Sequence, residues 1–316
     1  MFNFTEKAAI KIDDLILLNR LDIDDYIKRH SSLFSNIIIP FKTQHISYGV
    51  NQFGHYIKIA YDGNLVKKIV VSTQEEKDQN VKLVLSYDGS RFHGFQYQKN
   101  QRTVQGELNK VVGGFIEDVV MVQGASRTDA YVHAIEQVCH FKTHIDFDED
   151  QLKEILNHQL PKDMVVKTVS FVHPLFHSRY DVFQKTYRYK IYDGAYDPFK
   201  HNYFHYENNL DIQLMKEAIS GFIGTYDFTS FSKSIVDDPY RTITDAYIET
   251  YENEIHLVFV GYGFLRHMVR IMVDYLLKVG QKKSVPSIEQ VRLSRSRFYT
   301  NSMAPAQGLY LEKIEY

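Results

Sequence analysis

Cysteine is almost absent from the 316-residue sequence, in which Cys139 is the only one. A single thiol excludes an intramolecular disulfide, and it cannot provide the cluster of thiolates that structural zinc sites use. We therefore expect Cys139 to be a small buried hydrophobic residue.

A long apolar run is also missing, since no stretch approaches the length that a helix needs to cross a bilayer. The first residues, MFNFTEKAAIKIDD, carry acidic side chains and lack the basic stretch and apolar core of a signal peptide. Hydrophobic residues make up 44% of the chain and charged residues 24%. We expect a soluble, cytoplasmic protein that is long enough for two or three domains.

An overall positive charge is absent too, because 37 Lys and Arg stand against 39 Asp and Glu. The total therefore does not indicate a nucleic-acid-binding protein. Residues 261–300 differ, since eight basic residues face two acidic ones there, an excess of six. This run suits contact with phosphates, and an ordinary solvated surface is the alternative. The basic residues are Arg266, Arg270, Lys278, Lys282, Lys283, Arg292, Arg295 and Arg297, and the acidic ones are Asp274 and Glu289.

Residues 1–78 look like a separate small α+β module with balanced charge, ten basic against ten acidic residues. The spacing of apolar residues over 12–29 predicts an amphipathic helix. The runs HYIKIAY and LVKKIVV flank the turn sequence at 62–64, which predicts a β-hairpin. The polar run STQEEKDQN then predicts a linker. No motif in this module indicates a chemistry.

From Val81 onward, a pattern of strand, loop, amphipathic helix and further strands occurs twice. Two α+β halves, residues 81–183 and 184–316, therefore follow the N-terminal module, and a cleft between them is the natural place for a site. In the first half the pattern predicts strands over 81–87 and 137–145 and helices over 104–115 and 149–158. In the second half it predicts a strand over 186–192, a helix after Asp211, a hairpin around 252–254, a helix over 264–279 and a capping box at 287–290.

A loop segment that precedes a predicted strand, GASRTDAYVHA, places Arg127 two residues before Asp129. A nearby arginine keeps an aspartate ionised, as a nucleophile or a general base requires. Without further context, a local ion pair or an Asx turn is the alternative.

The same segment resembles the RTDAGVHA motif of the TruA family of tRNA pseudouridine synthases. Further matches follow in the family's order: YDGSRFHGFQYQ, TVQGEL, QVCHF after the aspartate motif, FHSRYDVFQKTYRYKIY, GTYDFTSF, YRTI, GYGFLRHMVRIMV and APAQGLYLEKIEY. Together they cover residues 81–316. The resemblance implies an α+β pseudouridine synthase fold, in which two ferredoxin- or RRM-like halves share a mostly antiparallel central sheet.

The resemblance also implies an activity, with Asp129 as the catalytic aspartate that attacks the ribose or removes a ribose proton while the glycosidic bond breaks. The detached uracil then rotates and rejoins through carbon. The expected partner is the anticodon arm of tRNA, at positions 38 to 40, and the expected assembly is a homodimer. No cofactor and no metal are expected, and the sequence has neither a glycine-rich phosphate loop nor a metal-binding spacing among its fourteen histidines.

Other site residues follow from the resemblance alone. Arg127 pairs with the aspartate and fills the hole left by the flipped nucleotide, and Arg270 is a second basic group near the carboxylate. Without the family, Arg270 and Asp274 form an exposed ion pair one helical turn apart. Substrate contacts fall on Tyr187, Leu309, Arg266 and Arg179. For Tyr187 and Leu309, a plain core position is the alternative.

Three residues depart from the family pattern: Ser126 and Tyr131 replace glycines, and Phe95 replaces a tryptophan. If the replaced glycine has a positive φ, Tyr131 is strained by about 1 to 3 kcal/mol. A catalytically silent RNA-binding or RNA-folding protein, in which Tyr131 closes the pocket, is therefore the alternative function. An additional RNA or protein contact by residues 1–78 remains open as well.

Overall fold

The computed structural model describes residues 38–42, 45–50, 56–62, 65–72, 79–116 and 119–316. These residues form two β-sheets and five α-helices. In this part of the chain, no helix is both long enough and apolar enough to cross a membrane. The helix predicted over 12–29 and most of the predicted linker lie outside the described residues.

The smaller sheet has four antiparallel strands in the order β1-β2-β3-β4. The predicted hairpin is confirmed, because β3 and β4 pair in antiparallel register from Tyr56 opposite Ser72 to Asp62 opposite Leu65. The strands are β1 Ile38–Lys42, β2 Ile46–Val50, β3 Tyr56–Asp62 and β4 Leu65–Ser72.

The larger sheet has ten strands, eight of them in the order β11-β12-β13-β9-β14-β7-β5-β8. Its pairs are antiparallel except for β14 with β7 and β10 with β9, so the predicted α+β class with a mostly antiparallel sheet is confirmed. The strands are β5 Gln79–Tyr87, β6 Gln123–Gly124, β7 His133–Thr143, β8 Met164–Val172, β9 Gln184–Tyr192, β10 His205–Tyr206, β11 Gly224–Asp227, β12 Tyr240–Thr250, β13 Glu254–Gly261 and β14 Leu309–Glu315.

Three of the five helices, α2, α3 and α5, begin at capping side chains that the sequence supplies. Asp148 and Asp211 accept hydrogen bonds from backbone amides of the first turns of α2 and α3. The predicted capping box is confirmed, since Ser287 and Gln290 cap α5 reciprocally. The helices are α1 Val104–Ile116, α2 Glu149–Gln159, α3 Ile212–Ile219, α4 Met268–Gly280 and α5 Ile288–Leu293.

One hydrophobic core joins the buried residues of all five helices to the larger sheet. Alternation along β9 buries Tyr187, Tyr189 and Ile191 on one face. Cys139 is buried as a free thiol, also as predicted. Strand β14 lies between β9 and β7, so the last strand of the chain runs through the middle of the sheet.

Helix α4 begins four residues later than the pattern predicted. His267 precedes it with a left-handed backbone, φ 60°, so the chain enters the helix only at Met268. Arg266, which falls within the predicted helix, therefore lies in the preceding loop. The apolar positions of α4 are nevertheless buried, as the helical period predicts.

The smaller sheet is attached to the larger one through a buried carboxylate. The hydroxyl of Tyr48 on β2 donates to Oδ2 of Asp181 at 2.7 Å, and Lys58 on β3 forms an ion pair with the same carboxylate. The Asp181 side chain is only 2% exposed. Because Asp181 follows β8 closely in sequence, this contact fixes the smaller sheet against the segment that carries Arg179.

We predict that Lys58→Met lowers the free energy of unfolding by about 3 kcal/mol, because the buried carboxylate of Asp181 then lacks its cation. Thermal or urea unfolding measures the change. Lys313→Met is the matched control, since Lys313 is 54% exposed in its ion pair with Glu315 and should contribute little. Equal stability of both variants and the wild type would contradict the assignment of this contact as a structural anchor.

Candidate active site

In the part of the chain that the structure describes, a cavity of about 1090 Å³ lies between the loop before β7 and the start of α4. Residues 125–132 of that loop, residues 93–98 and residues 264–270 form most of its wall. Lys185 and Tyr187 on β9 and Leu309 at the start of β14 also line it. The cavity therefore brings together segments that lie far apart in the sequence.

Asp129 is the one acidic residue that lines this cavity. Its Oδ2 lies 2.8 Å from Nδ1 of His267 and 3.4 Å from Nη1 of Arg270. The His267 contact is close but is not aligned as a hydrogen bond. The described residues provide no hydrogen-bond or ion-pair partner for Oδ1. The Asp129 side chain is 24% exposed. Its Oδ2 is fixed by His267 and Arg270, whereas its Oδ1 is available to contact a ligand.

The pKa of Asp129 is lowered from its usual value of 3.8. Burial raises this pKa, but contact with His267 and the charge of Arg270 more than offset the burial. The carboxylate is therefore ionised at neutral pH, which a nucleophile or a general base requires.

We predict that His267→Gln moves the acid limb of the activity profile to higher pH. The folded-state pKa of Asp129 is depressed, so its charge is lost only as the pH falls through that low value. Without the histidine, the effect of burial, which raises the pKa of Asp129, is less fully offset. Asp129 is then protonated at a higher pH. Single-turnover rates from pH 3 to 8 measure the shift, because the wild-type carboxylate is protonated only below its usual pKa of 3.8. The exposed His158→Gln on α2 should leave the limb in place; a His267→Gln profile that overlays the wild type would contradict this prediction.

His267 was missed by sequence reasoning, which singled out its neighbours Arg266 and Arg270. Its one sequence signal was its place three residues before Arg270, within the matched run GYGFLRHMVR. The left-handed backbone at His267 turns the chain just before α4. This turn brings His267 to the carboxylate together with Arg270, whose Nε also donates to the carbonyl of Ala304 at 2.8 Å.

The predicted pair of Arg127 with Asp129 is not found among the described residues; the ion-pair partners of Asp129 there are His267 and Arg270. Arg127 lines the cavity with an exposed side chain. The alternative, an exposed pair of Arg270 with Asp274, is not what the described residues form. Asp274 instead pairs with Lys278 at 2.9 Å and accepts from the hydroxyl of Ser302 at 2.7 Å.

The other Lys, Arg, Asp and Glu side chains on the cavity wall are all basic. The exposed side chains of Arg127, Arg179 and Arg266 line it, as does the half-buried Lys185. Burial, together with the charge of Arg179, lowers the pKa of Lys185 to about 8, and its Nζ donates to the carbonyl of Ala125 at 2.8 Å. With Arg270, five basic residues face one acidic residue, an excess of four that favours a polyanionic ligand.

The basic run over 261–300 does not form one patch. Only Arg266 and Arg270 from it line the cavity. Others are paired with carboxylates elsewhere, such as Lys282 with Asp211 at 3.1 Å and Arg295 with Asp227 at 3.1 Å. The ordinary solvated surface, which was the alternative, therefore describes much of this run.

Tyr187 and Leu309 are both core residues and wall residues. Their exposed fractions are 7% and 5%, and both line the cavity. The hydroxyl of Tyr187 lies 2.6 Å from Oγ of Ser126, and burial raises the pKa of Tyr187 to about 12. The ring also contacts Phe264 edge to face, with centroids 5.0 Å apart. Tyr187 is thus a rigid, neutral aromatic surface beside Asp129.

Buried polar contacts fix the loop that carries Asp129. The amide of Gln137 donates to the carbonyl of Ser126 at 2.8 Å, and the hydroxyls of Thr128 and Tyr87 lie 2.7 Å apart. The amide of Phe95 donates to the carbonyl of Thr128 at 3.0 Å. Ser126 and Phe95, two of the three departures from the family pattern, are therefore integrated into the packing, with exposed fractions of 8% and 2%.

Comparison with known proteins agrees with this arrangement. A family model described as tRNA pseudouridine synthase matches residues 83–181 and 218–316. A tRNA pseudouridine synthase A from Geobacillus sp. (strain WCH70) is 43% identical over 244 residues, which cover 75% of this chain and 98% of the relative. Proteins of the same description from Staphylococcus saprophyticus and Acetivibrio thermocellus are 43% and 40% identical over 235 and 243 residues. These alignments cover 73% and 75% of this chain and 88% and 100% of the relatives.

A solved structure, the crystal structure of a Cbf5-Nop10-Gar1 complex, aligns with 62% of this chain and 45% of its own chain. At 12% identity and a TM-score of 0.28, this likeness is too slight to bear on the site. The family match, in contrast, spans more than half of the chain, and the relatives are well above 30% identical. The chain therefore belongs to the tRNA pseudouridine synthase family.

Proposed function

We propose that this protein isomerises uridine to pseudouridine in tRNA, at positions 38 to 40 of the anticodon arm, with Asp129 as the catalytic residue. The observation that carries the proposal is the Asp129 carboxylate, which is ionised, held through Oδ2 and open at Oδ1 in a cavity lined by basic groups. The names of the relatives and the family match support tRNA as the substrate.

The reaction exchanges one bond of the uracil for another. The bond between C1′ of ribose and N1 of uracil breaks, the uracil rotates, and a bond forms between C1′ and C5. The proton on C5 leaves and N1 gains a proton, so the product is an isomer of the substrate. Asp129 acts either by attack on C1′ or by removal of a ribose proton, and both roles need the ionised form.

The target nucleotide must leave the helical stack before Asp129 can reach its ribose, at a cost of a few kcal/mol. The exposed guanidinium of Arg127, two residues from Asp129, suits the vacated place in the stack. Arg179 and Arg266 suit contacts with the flanking phosphates because both line the cavity with exposed side chains. The ring of Tyr187 and the side chain of Leu309 suit contact with the uracil.

The proposal includes a division of the chain. Residues 1–78 form an N-terminal extension, residues 81–183 form a ferredoxin-like half with the Asp129 loop, and residues 184–316 form a second such half. The strand order supports this division, since β5, β7 and β8 lie on one side of the sheet and β11, β12, β13 and β9 on the other. A cytoplasmic homodimer is proposed from the family resemblance, and light scattering of the purified protein tests the dimer.

Release of tritium from unmodified tRNA labelled at C5 of uracil tests the function, because only formation of the new bond at C5 expels that hydrogen. We expect release that reaches a plateau set by the number of target uridines. Mapping of pseudouridine in the product should place it at positions 38 to 40. The labelled tRNA without protein gives the background.

The alternative is a silent RNA-binding protein, for which the exposed Tyr131 ring in the cavity is the supporting observation. It predicts tRNA binding without tritium release. Release at positions outside the anticodon arm would retain the activity but overturn the proposed site on tRNA.

A further inference from the structure

Tyr131 has a backbone conformation that tyrosine rarely adopts. Its φ is 66°, in the left-handed region that glycine, asparagine and aspartate tolerate better than an aromatic residue. The family pattern has a glycine at this place, and the condition under which Tyr131 is strained, a positive φ, is met. This chain therefore retains a bulky side chain at a strained position two residues from Asp129.

The surrounding loop is what maintains this conformation. The amide of Tyr131 donates to the carbonyl of Phe92 at 3.2 Å, and the amide of Val132 donates to the carbonyl of Asp129 at 3.2 Å. Val132 is buried, with an exposed fraction of 2%. The backbone on both sides of the strained residue is thus fixed, and strain of this kind is concentrated at functional sites.

The ring of Tyr131 is not used to fill the core. The residue is 49% exposed and lines the same cavity as Asp129 and Arg127. Its aromatic neighbour is His93, another exposed residue of the cavity wall, whose ring centroid is 6.4 Å away at an interplanar angle of 49°. A strained ring that is half exposed gains little from packing, and its exposed surface is available to a ligand.

We infer that Tyr131 is a specificity-determining residue that stacks on a nucleobase flanking the target uridine. This inference rests on the proposed function, because it takes RNA as the occupant of the cavity. Stacking on an aromatic side chain is available to every base, and it suits a nucleotide whose stacked neighbour has been flipped out. The basic wall formed by Arg127, Arg179 and Arg266 favours the attached phosphates and disfavours a purely apolar partner.

Three substitutions at position 131 test the role of the ring. Tyr131→Phe keeps both the ring and the strain, whereas Tyr131→Asn and Tyr131→Gly remove the ring and relieve the backbone. We expect Tyr131→Phe to behave like the wild type. For the other two we expect KM for unmodified tRNA to rise about tenfold with kcat changed less, while the midpoint of thermal unfolding stays equal or rises.

Lys282→Asn is the matched control, because Lys282 has φ 58° but is 70% exposed and pairs with Asp211 away from the cavity. Relief of strain there should leave KM unchanged. A spectroscopic readout is 2-aminopurine placed beside the target uridine, whose fluorescence should be quenched on binding to the wild type and to Tyr131→Phe but less by Tyr131→Gly.

Two results would overturn the inference. One is an unchanged KM and an unchanged quench in Tyr131→Gly and Tyr131→Asn. The other is faster turnover in these variants, which would make the ring an obstruction of the cavity. Either result leaves tritium release by the wild type intact, so failure of this inference is distinguishable from failure of the proposed function.

Discussion

Asp129→Asn should abolish tritium release, with a loss of at least about a thousandfold in the single-turnover rate. Asparagine has nearly the same shape as aspartate, so the cavity keeps its form. It has no negative charge, however, and can neither attack C1′ nor take up a ribose proton. Arg270, which contacts Oδ2 in the wild type, loses its counter-charge. Binding of tRNA should stay within a few-fold, since the basic wall is unchanged.

Asp274→Asn is the matched control for this experiment. It removes the same charge one helical turn from Arg270, where Asp274 pairs with Lys278 and accepts from Ser302. We expect wild-type release from this variant. Release by Asp129→Asn at more than about a tenth of the wild-type rate would mean that the carboxylate is not the chemical group, whatever the family pattern implies.

Local structure in this chain could be predicted from sequence because its signals are local. The apolar spacing of α1, the Asp211 cap of α3 and the capping box of α5 each depend on residues within one or two turns. Asp129 and its loop were identified through a short contiguous motif. These features appear in the structure with boundaries shifted by a few residues.

The assembly of the site depends on contacts that no local pattern encodes. His267 reaches Asp129 because one left-handed residue turns the chain before α4, and the helical period continued smoothly through that residue. Leu309 lines the cavity because β14 inserts between β9 and β7, a pairing between distant segments. Among the described residues, the ion-pair partners of Asp129 are His267 and Arg270, although sequence spacing favoured Arg127 over His267.

The loop of Asp129 is also positioned by a glycine from a distant turn, and Gly94→Ala should therefore impair catalysis. Gly94 has φ 88°, which disfavours any side chain. A Cβ at Gly94 would lie 2.9 Å from the carbonyl oxygen of Thr128 and 3.2 Å from the carbonyl carbon of Asp129. The carbonyl of Gly94 accepts from the amide of Val104 at 3.2 Å, which ties the turn to α1. Because this hydrogen bond fixes the turn, the added carbon should displace the Asp129 loop and not the turn.

We expect the single-turnover rate of Gly94→Ala to fall about a hundredfold, because small displacements of a reacting group are costly. Its free energy of unfolding should fall by about 1 to 3 kcal/mol. Gly114→Ala on α1 makes the same chemical change where a Cβ meets nothing within 4 Å. There a helical alanine should add about 0.5 to 1 kcal/mol of stability without changing the rate. Equal single-turnover rates for Gly94→Ala and Gly114→Ala would contradict this prediction. The loop would then accommodate the added carbon without moving Asp129, and the contact with Gly94 would not position the carboxylate.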